Sequence, residues 1–117
     1  MLGEYALEYY NQGSGCGQCI IMAAEKVYGI KSCKGIENAM RGISNGLGVG
    51  SVCSVPVACI MVIALVCEDE AEMKMKRLMF MERFKKSLGS YDCGTLQKKA
   101  ECYELIKKGC DILEKIV

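Results

Sequence analysis

The unusual chemistry of this chain is sulfur. Nine cysteines stand at positions 16, 19, 33, 53, 59, 67, 93, 102 and 110 of 117 residues, and there is no histidine. Without histidine the commonest general base and the commonest nitrogen metal ligand are missing. That excludes Ser-His-Asp and Cys-His catalysis within one subunit and any histidine-bearing zinc site. An odd number of cysteines at irregular spacings is not the framework of a secreted disulfide-bonded domain. The N-terminal stretch MLGEYALEYYNQGSG lacks the basic-then-apolar layout of a signal peptide. Both features point to a reducing, cytoplasmic setting, where clustered cysteines serve metal binding or thiol redox chemistry.

The nine are not equivalent. Cys16, Cys53 and Cys93 each follow a glycine-rich or turn segment and open an expected helix. A helix N-terminus offers unpaired N–H groups and positive partial charge, which favour thiolate over thiol. Cys102 begins the last expected helix, close enough after Cys93 for a turn to bring both to one site. Cys16-Gly17-Gln18-Cys19 is also a CxxC, an arrangement that activates one thiol and supplies a resolving partner. Cys59 and Cys67 lie in an apolar run, and Cys110 falls on an apolar stripe with Ile106 and Leu113, so these three read as core packing. Cys33 sits in a polar turn between Lys31 and Lys34, whose charge would lower its thiol pKa.

Helices must position these thiols. Leu2 to Asn11 carries Leu2, Tyr5, Ala6, Tyr9 and Tyr10 at helical spacing, and Gly13-Ser14-Gly15 breaks it. A second helix is expected from about Cys16 to Tyr28, ended by a left-handed cap at Gly29. A shorter third runs from Ile36 to Ile43 into the glycine-alternating loop Asn45 to Gly50, which lacks the full phosphate-binding GxGxxG or GxxxxGK[ST] patterns. The fourth starts around Cys53 with Pro56 in its first turn and is apolar on all sides, the pattern of a buried central helix. Ala71 to Leu88 forms a fifth, with Met73, Phe80, Met81, Phe84 and Leu88 on one face. A short helix at Cys93, capped by Asp92, and a final one from about Lys98 to Val117 complete an all-α bundle of five to six helices in one domain, 1–117.

Composition removes other classes of function. A formal net charge of +1 with no basic stripe argues against nucleic acid. The uncharged run Val52 to Cys67 is short of the roughly 20 residues that span a bilayer, so no membrane span is expected. Its apolar character would suit burial by a second subunit, which leaves a homodimer open.

Three blocks of residues resemble a known family. Ala6-x-x-Tyr9-Tyr10 leads into Gly15-Cys16-Gly17-Gln18 and on through Ala23 to Tyr28-Gly29; Gly46-Leu47-Gly48-Val49-Gly50-x-x-Cys53 precedes the apolar helix; Leu88-Gly89-Ser90 with Cys93 and Leu96 is followed by Cys102, Leu105 and Ile106. Together they resemble the small redox-active proteins named for the pattern C_GCAxxG_C_C. One departure is that the family's central CGAxxG is here Cys53-Ser54-Val55-Pro56-Val57-Ala58, with small residues in place of both glycines. The resemblance implies that Cys16, Cys53, Cys93 and Cys102 are the family cysteines. The family is in turn similar to the iron–sulfur part of split-Soret cytochromes, which implies a helical fold and a four-cysteine cluster.

The leading expectation is therefore an electron-transfer protein holding an iron–sulfur cluster, of [2Fe–2S] type, on Cys16, Cys53, Cys93 and Cys102, with Cys19 as a substitute ligand. Four cysteines are the usual ligand count for such a cluster. Gly48 and Gly50 would lend backbone N–H groups to it, and air would remove it. An electron carrier of this kind needs a redox protein partner and is not itself a catalyst. Covalent haem is not expected, because the chain has no CxxCH. Two alternatives stay open: a metal-free thiol–disulfide protein using Cys16 and Cys19, and a structural zinc-binding module with four cysteine ligands.

Overall fold

A computed structural model describes residues 1–31 and 34–117. Seven α-helices follow one another among these residues: α1 Leu2–Asn11, α2 Gln18–Val27, α3 Lys34–Ala39, α4 Ser54–Val66, α5 Glu70–Leu88, α6 Cys93–Gln97 and α7 Cys102–Ile116. The all-α expectation holds, and the count exceeds the expected five to six. The expected third helix tightens into a 3₁₀ turn over Met40–Ile43. Cys33 lies outside the described residues.

The core follows the apolar stripes. α7 buries Leu105, Ile106, Cys110, Leu113 and Ile116, the i, i+4, i+8 pattern of one helix face. Gly109 on that face lets α7 approach α4, since a Cβ there would stand 2.6 Å from Val55 Cγ1. α1 packs on α2 and α7, while α4 packs on α2, α5 and α7. α5 contributes Phe80 and Phe84, fully buried with ring centroids 5.8 Å apart. Its ends are well signalled. Asp69 accepts a hydrogen bond from the Glu72 N–H at 2.8 Å, an N-cap, and Gly89 closes the helix in the left-handed conformation at φ 83°. At the end of α2, Gly29 adopts the expected left-handed conformation, φ 65°.

Three local expectations change. α2 begins at Gln18 rather than Cys16, so Cys16 lies in the turn just before it. α4 is not buried all round: Val55, Ala58, Cys59, Val62 and Ile63 face the core, whereas Ala64 and Leu65 are exposed. Cys67 is not core either, because it follows the last turn of α4 and is only half-buried. No helix among the described residues is long and apolar enough to cross a membrane.

Candidate thiol centre

The start of α4 and the start of α6 are joined by a short extended pairing. Val52 and Asp92 form an isolated antiparallel bridge. On either side of it the Cys53 N–H donates to the Tyr91 carbonyl at 2.7 Å, and the Cys93 N–H donates to the Ser51 carbonyl at 2.6 Å. Side chains alternate along extended backbone, so Cys53 and Cys93, each one residue beyond the bridged pair, project to the same face. Asp92 also caps α6, its carboxylate accepting from the Thr95 N–H at 3.0 Å and the Thr95 hydroxyl at 2.9 Å.

The glycine loop closes over this pairing. Asn45, Gly46, Leu47 and Gly48 are four consecutive residues in the left-handed region, at φ 55°, 59°, 63° and 79°. The turn is shut by the Ser51 N–H donating to the Gly46 carbonyl at 2.8 Å. Gly46 is the position that requires glycine for space as well as for φ. A Cβ there would stand 2.4 Å from Ser51 N and 2.8 Å from Cys93 Cβ. Of the two glycines singled out from sequence, Gly50 lies against Gly94, whereas Gly48 is exposed with open space around its Cα.

Cys16 arrives from the other side. Gly17 packs on the first residue of α4, where a Cβ would be 3.1 Å from Ser54 Cβ and 3.2 Å from the Ser54 carbonyl oxygen. That close approach leaves Cys16 Sγ 2.9 Å from Ser54 Oγ, a hydrogen bond in which Ser54 is 2% exposed. Cys102, at the start of α7, faces the Tyr10 hydroxyl of α1.

The electrostatics register this convergence. Burial pushes the Cys53 thiol up to about 12; the Val55 N–H works the other way, and Cys16, Cys93 and Cys102 add to the rise. Cys93 is raised by burial first and then by Cys16 and Cys102. Cys102 is raised by burial and by Cys16, while the hydrogen bond with Tyr10 lowers it. The helix N-termini alone would favour thiolate; at Cys53, Cys93 and Cys102 burial and crowding outweigh the dipole. The structure therefore brings the starts of α4 and α6 and the turn before α2 together at Cys53, Cys93 and Cys16, with Cys102 at the start of α7 within electrostatic reach of them. Among the described residues, no three cysteine, aspartate or glutamate side chains already stand in a metal-holding arrangement.

Cys19 does not share this environment. It is fully buried, its thiol donates to the Cys16 carbonyl at 3.2 Å, and burial raises its pKa strongly, with Cys110 and Cys16 adding to the rise. Sequence reasoning missed four contributors. Gly17 and Gly46 lie within recognised motifs that give no sign of what they touch. Ser54 stands out only as a departure from glycine, and Tyr10 only as one tyrosine among several on α1.

These features define a small all-helical, cysteine-rich protein in which Cys53, Cys93 and Cys102 stand at helix starts and Cys16 in the turn before α2. The chain belongs to the family described as "Putative redox-active protein (C_GCAxxG_C_C)", whose model matches residues 14–116. No curated protein and no solved structure matched it.

Proposed function

We propose that the chain binds an iron–sulfur cluster, of [2Fe–2S] type, through Cys16, Cys53, Cys93 and Cys102, and acts in electron transfer. The observation that carries this reading is that Cys53 and Cys93 lie on one face of the Val52–Asp92 pairing and Cys16 Sγ meets Ser54 Oγ, beside Cys53, at 2.9 Å; the upward shift of Cys53, Cys93 and Cys102 by others of the set supports it. The donor chemistry fits, since four soft thiolates are the usual ligands of such clusters and no nitrogen ligand is needed. When bound, the group supplies one-electron chemistry. The chain's own part is positional: Ser54 faces the Cys16 sulfur, Tyr10 the Cys102 sulfur and the Val55 N–H the Cys53 sulfur. Such hydrogen bonds orient ligands and tune potential.

Iron and acid-labile sulfide analysis with a visible spectrum, on protein purified without oxygen, tests the proposal. Stoichiometric iron and sulfide are expected in the wild type. They should be lost on Cys→Ser replacement at any of positions 16, 53, 93 and 102, and kept in Cys59→Ser and Cys110→Ser. Equal retention in both sets would overturn the ligand assignment. Zinc on the same thiols would overturn the electron-transfer role while keeping the ligands. A colourless, metal-free protein that resists reconstitution would overturn both.

A further inference from the structure

α4 carries no charged residue from end to end, yet the chain does not cover it fully: Val57, Ile60, Met61 and Val66 are half-buried and Ala64 and Leu65 exposed. Along it an apolar cleft of about 140 Å³ is lined by Val52, Pro56, Val57, Ile60 and Met81. One turn before Met81 on α5, Leu78 is 60% exposed, and Met75 is 56% exposed. Exposed leucine and methionine beside an uncovered apolar helix face form a patch of the kind that marks an interface.

The charges beside this patch say what covers it. Along the four-residue ridge of α5 the sequence reads Glu70, Lys74, Leu78, Glu82, Lys86, all exposed. Turned end for end, the row reads Lys, Glu, Leu, Lys, Glu. Laid antiparallel on itself with Leu78 opposite Leu78, it places Glu70 opposite Lys86 and Lys74 opposite Glu82, and each pair recurs by symmetry. A two-fold interface must be self-complementary in this way. Within the chain, Lys74 and Glu70 are 3.9 Å apart and largely exposed, a pair weak enough to re-form across an interface.

We infer that a second copy of this chain covers the face, the two α5 helices packing antiparallel about a two-fold axis at Leu78 and bringing the outer sides of both α4 helices together. Dimerisation of this kind does not depend on any metal at the thiols.

Sedimentation equilibrium on the full chain tests it, with two charge-reversed variants. One carries Glu70→Lys and Glu82→Lys; the other carries Lys74→Glu and Lys86→Glu. The wild type should have the mass of two chains. Each variant alone should be monomeric, because like charges then face one another. An equimolar mixture of the two should recover the dimer mass. A monomeric wild type would overturn the inference whatever the variants do. Variants that stay as dimeric as the wild type would place the contact elsewhere and overturn it too. A monomeric wild type that instead partitions onto phosphatidylcholine vesicles would assign the face to lipid.

Discussion

Replacing Gly46 with alanine should damage this protein more than the same change two residues on, and the difference can be worked out from the loop. At φ 59° an alanine occupies the left-handed region, which costs roughly 1–2 kcal/mol for a residue with a Cβ. The new carbon would also stand 2.4 Å from Ser51 N, 2.6 Å from Ser51 O and 2.8 Å from Cys93 Cβ. Two of those are backbone atoms, Ser51 O accepting from the Cys93 N–H and Ser51 N closing the turn onto Gly46, so the loop must shift as a unit, and overpacking of this kind costs about 1–3 kcal/mol more. Gly48 has a similar φ, 79°, but nothing within 4 Å, so Gly48→Ala carries only the first cost. The expected losses are therefore about 2–5 kcal/mol against about 1–2 kcal/mol. At about 4–8 °C per kcal/mol for a domain near this size, Gly46→Ala should lower Tm by at least about 8 °C. Thermal unfolding of both variants followed by circular dichroism checks this, and alkylation of Cys93 should be faster in Gly46→Ala alone. Equal Tm losses would refute the reasoning, because they would mean that Gly46 is needed for its φ and not for its contact with Ser51 and Cys93.

The cap of α6 and the core thiols give two further expectations. Asp92→Ala removes the acceptor of both Thr95 hydrogen bonds and should cost about 1 kcal/mol, seen as a lower urea midpoint with unchanged m-value; no shift would refute the capping role. Burial pushes Cys110 up to about 12, with Glu114 and Asp111 adding to the rise, and Cys59 is likewise raised by burial. In the unfolded chain these thiols lose their protons from about pH 9, while the folded chain keeps them. The unfolded state then binds fewer protons, so stability is full below pH 9 and falls as pH rises toward the folded value, by about 1.4 kcal/mol per pH unit for each such thiol. Urea midpoints at pH 8, 9 and 10 should decline, and Cys110→Ala should flatten the decline; a midpoint independent of pH would contradict the burial argument.

Much of the architecture could be read from residue patterns because local chemistry and tertiary packing agree. The α7 stripe, Asp69 and Gly89 at the ends of α5, and Asp92 before Cys93 all do in the structure what their types demand. The failures have physical causes. α4 is apolar all round, so its periodicity could not tell the core side from the uncovered one. Lys98-Lys99-Ala100 are good helix formers, and by pattern they open the last helix. The chain instead folds back there, with the N–H groups of Lys99 and Ala100 both donating to the Leu96 carbonyl, and α7 waits until Cys102. The Val52–Asp92 bridge leaves no trace in the pattern at all, because a single pair of extended residues has no period. Thiolate-favouring helix starts were legible; the burial that reverses their effect was not.

Cys16 and Cys19 show how far a sequence motif and a site can part. They are three residues apart, yet Cys19 is fully buried with Cys110 and Cys16 as electrostatic neighbours, while Cys16 is half-buried against Ser54. Joining them in a disulfide would remove the thiol hydrogen that Cys19 donates to the Cys16 carbonyl. Burial has raised the Cys19 thiol strongly, which also starves such an exchange of thiolate. Cys53, Cys93 and Cys102 come from elements other than that of Cys16. Any ligand shared by those four would tie together the starts of α2, α4, α6 and α7. Its binding would then add directly to folding stability, since an unfolded chain brings the four to one place only at a large entropic cost.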